Sequence, residues 1–159
     1  MHWMSSAAVL VAIALATPAD SSAQKVPDLS GTWVLQVDKS DFGPMAAPDS
    51  RTDVITHNEP NLTIKRSVKS SATGETVSDL VYAVDGKPYK NKAGPTELTS
   101  TLKWEGATLV VTSTVETPNG AVTITDRMTL SADGKTMTQL RTLSAQGQEA
   151  TQTMVLVKQ

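Results

Sequence analysis

Arg66, Asp126 and Arg141 are the residues whose types and spacing promise chemistry. Each stands in a run where apolar residues recur at every second position: Leu62, Ile64, Arg66, Val68; then Val122, Ile124, Asp126, Met128, Leu130; then Met137, Gln139, Arg141, Leu143. Ser100, Ser113, Gln139 and Gln152 interrupt similar runs in the same way. If the apolar parity faces inward, these polar groups are buried with it, near the middle of their strands. A buried charge has to be paired and hydrogen-bonded. Two guanidinium groups against one carboxylate leave one over, fit for a ligand carboxylate held in a bidentate fork. The alternatives are an internal ion pair that holds no ligand, or a one-residue register shift or bulge that turns these side chains outward. Asp126 is also the one candidate acid or base for a barrel enzyme.

The remaining chemistry is sparse. The chain has no cysteine, which removes disulfides, thiolate catalysis and cysteine-based metal sites. His57, beside Asn58-Glu59-Pro60, reads as a solvated turn residue rather than a haem or metal ligand. No nucleophile elbow, zinc motif or phosphate loop is present. Asp38, Asp41, Asp49 and Asp53 read as scattered acids of an early solvated loop, without the spacing of a calcium site. No metal, cofactor or catalytic residue is expected. With 14 Lys and Arg against 16 Asp and Glu, the formal net charge is -2, which speaks against a nucleic-acid partner.

The elements that must position these residues are strands. Threonine occurs 22 times and only six residues are aromatic; side chains branched at Cβ suit a pleated surface. Turn signals recur throughout, among them Glu59-Pro60-Asn61, Thr73-Gly74, Asp85-Gly86, Glu105-Gly106, Asn119-Gly120 and Asp133-Gly134. About ten strands joined by short loops must be antiparallel neighbours. A meander of that length removes its exposed edges by closing. The expected fold is all-β, an antiparallel up-and-down barrel of about 8 to 10 strands, with a two-sheet sandwich as the alternative. Leu102, Val111, Ile124, Met128 and Met154 then supply apolar walls, and Gly43–Pro48 is the longest irregular loop, either a lid over the mouth or a plain surface loop.

Two features lie at the start of the chain. Ala7 to Ala16 is a run of ten apolar residues, too short to span a membrane but fitting the apolar core of a signal peptide, with small residues at Ser21 and Ala23. Residues 1–23 are therefore expected to be a signal peptide and 24–159 the domain, secreted or periplasmic and without stable membrane insertion. Further on, Leu29-Ser30-Gly31-Thr32-Trp33 opens the first strand. This resembles the Gly-x-Trp signature of lipocalins and related calycin barrels. The resemblance implies that Trp33 closes one barrel end while Arg127 or Arg141 packs across its ring. The later lipocalin motif and disulfide are missing, so the chain is more similar to small lipocalin-like proteins of bacterial envelopes. The function expected is a non-enzymatic binding protein for a small hydrophobic or amphipathic ligand, such as a fatty acid, with Arg66 and Arg141 as anchors and Asp126, Gln139 and Ser113 beside them. The alternative is a small envelope inhibitor with a filled core.

Overall fold

The computed structural model describes residues 25–159, so the expected signal peptide lies outside the described residues. Ten strands follow one another: β1 Gly31–Leu35, β2 Ser50–Asn58, β3 Asn61–Ser70, β4 Gly74–Ala83, β5 Tyr89–Ala93, β6 Thr96–Glu105, β7 Thr108–Thr117, β8 Gly120–Leu130, β9 Thr136–Ala145 and β10 Gln148–Lys158. A single 3₁₀ turn, Val37–Lys39, interrupts the connection from β1 to β2. The sheet order is β4-β3-β2-β1-β10-β9-β8-β7-β6-β5, with every ladder antiparallel. First and last strands pair through Trp33 with Lys158 and Leu35 with Leu156, so one unbroken ladder wraps into a barrel rather than two stacked sheets. It stops only between β4 and β5.

Period two does what it predicts. The outer face carries the β-branched polar side chains; Thr101, Thr112, Thr125, Thr142 and Thr151 form one cross-strand row over five strands. The inner face carries the core. At the end formed by the 58–61, 105–108 and 130–136 turns, Leu29, Trp33, Leu62, Leu102, Leu109, Met137 and Leu156 are fully buried. At ~25 cal/mol per Å² of apolar surface, each such side chain contributes about 1.5–3 kcal/mol. These residues fill this end and make it the floor.

The Gly-x-Trp expectation is half met. Trp33 has no exposed surface, and its indole N–H donates to the carbonyl of Leu29 at 2.9 Å. The cation over its ring is not an arginine. Lys158 Nζ lies 5.5 Å from the ring centroid, brought there by the β1–β10 register. Arg127 instead points outward and pairs with Glu105 at 2.6 Å, because its odd position in β8 belongs to the outer face. Gly31 sits at φ +134°, and a Cβ there would strike Lys158 Cε. The glycine thus makes room for the lysine stem on its way to the indole.

The opposite end is the mouth. The chain leaves β1 after Leu35, and Asp41 exchanges both backbone hydrogen bonds with Thr153 of β10 at 2.7 Å. It then crosses toward the β3–β4 turn, where the Asp49 amide donates to the Lys69 carbonyl. Gly43 lets this strap lie close to β10, since a Cβ would meet the Thr151 carbonyl oxygen at 2.5 Å.

Candidate interior binding site

Six interior polar residues, Arg51, Asp53, Arg66, Asp126, Gln139 and Arg141, form one hydrogen-bonded belt. The register sets Asp53 opposite Arg66, and Asp126 opposite Arg141. Arg66 grips Asp53 through Nε and Nη2, both at 2.8 Å. Arg141 grips Asp126 in the same way at 2.7 and 2.9 Å. Arg51 joins the first pair by donating to both Asp53 oxygens, and its Nη1 reaches the Met154 sulfur at 3.4 Å. Gln139 ties the halves together across the lumen: its Oε1 accepts from Arg51 at 2.9 Å and its Nε2 donates to Asp126 at 2.8 Å. Ser100 and Ser113 face each other and share a bond of 2.7 Å.

Burial alone would raise both carboxyls, but the guanidinium charges and hydrogen bonds outweigh it. Arg66 and Arg51 hold Asp53 far below the ordinary carboxylate range. Arg141, with the Gln139 amide, lowers Asp126. Burial and repulsion from Arg66 lower Arg51, while Asp53 overcomes burial to raise Arg66. Both carboxylates are therefore ionised at neutral pH. Three guanidinium groups face two carboxylates, so the belt carries one uncompensated positive charge.

Two cavities meet at this belt. The inner one, about 240 Å³, is lined by Ile64, Leu80, Tyr82, Leu98, Val111, Ser113, Ile124 and Met128 around Arg66, Asp126, Gln139 and Arg141. The mouth cavity, about 420 Å³, lies under the strap residues Phe42, Met45, Ala46, Ala47 and Pro48, and reaches Arg51, Arg66, Arg141, Gln152 and Met154. Arg66 and Arg141 border both cavities, with side chains 19% and 23% exposed. Each spends Nε and Nη2 on its carboxylate, and Nη1 has no protein partner among the described residues. Every fully buried side-chain nitrogen and oxygen among the described residues has a partner, so these two Nη1 atoms are accessible ones.

The structure brings together most of the residues marked from the sequence. Arg66, Arg141, Asp126, Gln139, Ser113, Val111, Ile124 and Met128 surround the inner cavity, and Met154 borders the other. Leu102 is corrected: it is packed into the floor and lines neither cavity. Asp53 is corrected too, being a fully buried strand residue and not a loop acid. Arg51 was missed with it. In SRTDVITHN the inward parity reads Arg51, Asp53, Ile55, His57, which hides the usual apolar signal; only the Arg-x-Asp spacing gave a hint. His57 is not solvated. Its ring is buried, accepts from the Leu29 amide at 3.2 Å, and contacts Glu59 at 2.7 Å. It thereby holds the segment that seats Leu29 in the floor. No group of three or more potential metal ligands is found among the described residues.

No protein-family model and no curated protein sequence matches the chain. Solved structures do. A secretory abundant heat soluble protein from Ramazzottius varieornatus aligns over 84% of this chain and 98% of its own, with a TM-score of 0.61 and 11% identity. The zebrafish ileal bile acid-binding protein, complexed with cholic acid, aligns over 82% and 98%, at 0.56 and 16%. The fatty-acid-binding protein of Manduca sexta aligns over 82% and 99%, at 0.51 and 14%. Identities this low speak for the fold alone, and in fold this chain is a calycin-like antiparallel β-barrel.

Proposed function

We propose that this barrel is a non-enzymatic binding protein for a small amphipathic anion, such as a fatty acid, exported by the segment at Ala7 to Ala16. One observation carries the binding reading. Arg66 and Arg141 are each fixed by a carboxylate through Nε and Nη2, yet each lines both cavities and keeps an Nη1 without a protein partner among the described residues, in a belt with a surplus positive charge. A carboxylate there gains charge-assisted hydrogen bonds in a setting already ordered. The apolar walls take the rest of the molecule. The similar bile acid-binding and fatty-acid-binding proteins support a ligand of this class.

Titration of the purified protein with a fluorescent polyene fatty acid tests the reading. We expect saturable one-to-one binding, weakened about tenfold by Arg141→Lys, which keeps the charge beside Asp126 but loses the fork. An equally long amine is expected not to bind. A protein that takes up no fatty acid, and yields none on solvent extraction, would refute the proposal. The competing reading is a scaffold with a self-satisfied interior, favoured by the completeness of the belt. It predicts that no amphiphile binds and that loop-directed partners do. The mass of the protein recovered from an exporting host tests cleavage near Ala23.

A further inference from the structure

We propose that the β4–β5 seam is the entrance to the inner cavity, latched by the side chain of Asn91. The inference rests on the binding reading above and adds the route. Every other pair of neighbouring strands is joined by a backbone ladder, and β4 and β5 are the two ends of the sheet order. Where their ladder would run, one side chain stands in for a peptide group. The Val81 amide donates to Asn91 Oδ1 at 2.8 Å, and Asn91 Nδ2 donates to the Val81 carbonyl at 3.0 Å. Nearer the mouth, the Gly94 amide donates to Ser78 Oγ at 3.2 Å. The alternation of an antiparallel edge turns the peptide groups of Val77 and Asp79 to the same side as those of Val81. A few side-chain bonds open at lower cost than a ladder of backbone bonds.

What lies on each side of the latch fits a route. Immediately inside, Leu80 and Tyr82 of β4 and Ala93 of β5 are walls of the inner cavity, with Arg66 beyond them. Immediately outside, Val77 and Val81 are 54% and 57% exposed, the two most exposed large apolar side chains among the described residues. Lys90 and Lys92 flank them on β5, with Asp79 and Glu97. The two acids balance the two lysines, so an amphipathic anion meets exposed apolar surface without a net charge before the seam, and apolar walls and a guanidinium after it. The strap over the mouth, by contrast, is tied by backbone hydrogen bonds to β10 at Asp41 and to β3 at Asp49.

The absence of cysteine makes the test clean. In Val81→Cys/Asn91→Cys, dibromobimane bridges the two thiols and shuts the seam. In Thr112→Cys/Thr125→Cys the same reagent bridges two strands already joined by a ladder. Stopped-flow association of the polyene fatty acid is expected to slow at least about tenfold in the bridged seam variant relative to its unbridged form, and to stay unchanged in the bridged control. Asn91→Ala is expected to speed both association and release with little change in affinity. An unchanged rate in the bridged seam variant would overturn the route while leaving the binding reading intact. If the unmodified protein binds no fatty acid, the binding reading fails. Hydrogen exchange then judges the seam alone: the Val81 amide is expected to exchange at least about tenfold faster than the Arg141 amide, and equal protection would overturn the latch.

Discussion

At the scale of single residues, the belt is a set of mutual obligations. Asp126 holds Arg141 and receives Gln139, so Asp126→Asn leaves a guanidinium half-buried and unpaired. Removing one partner of a buried pair costs up to about 3–5 kcal/mol, and the low end applies here because Arg141 retains contact with the cavity. Urea unfolding measures it. The same carboxylates set the acid response. Both are lowered in the folded protein, so the unfolded chain takes up protons first as pH falls. Their contribution is complete above the unfolded value and drains as pH drops toward the folded one. Stability is therefore expected to hold from pH 7 to about pH 5 and then decline, with a shallower decline in Asp53→Asn/Asp126→Asn.

At the scale of elements, the floor depends on β1 and β10 meeting in register. Trp33→Ala opens a large cavity and is expected to cost about 3–5 kcal/mol, whereas Lys158→Ala removes a half-buried cation–π contact of about 0.5–1 kcal/mol. Thermal unfolding of the two variants gives the order; a larger effect for Lys158 would contradict the placement of the plug. Elements were also where the sequence was most legible. Gly after Asp, Asn or Glu marked turns, and strict alternation in β6 to β10 placed Ser100, Ser113, Asp126, Gln139 and Gln152 on the inner face. β2 escaped because its buried positions are charged, so Arg51 and Asp53 contribute no apolar periodicity. The partner of Trp33 escaped for a different reason. Lys158 is 125 positions away, and only the closing register, which no local pattern encodes, brings it to the ring.

At the scale of the whole molecule, the barrel divides into a packed floor, a charged belt and an upper space beneath a strap. The division predicts that enlarging the upper space is tolerated better than enlarging the floor. Met154→Ala borders the mouth cavity and is expected to cost less than Met137→Ala, which is sealed in the floor, although both delete the same atoms. Urea midpoints of the pair measure it. The fold class was readable from turns and alternation, but the cavities were not, since a volume is set by what all ten strands leave unfilled.

The sheet order has one more consequence. Because the first and last strands are zipped side by side, with the Gln159 amide bonded to the Thr32 carbonyl at 2.9 Å, the break in the wall falls in mid-chain. Residues 25–159 cut between Gly86 and Lys87, and rejoined by a short linker from Gln159 to Lys25, would keep every ladder and would begin and finish on opposite banks of the gap. Such a permuted chain is expected to refold to the same barrel, carrying its new ends where the wall was already open.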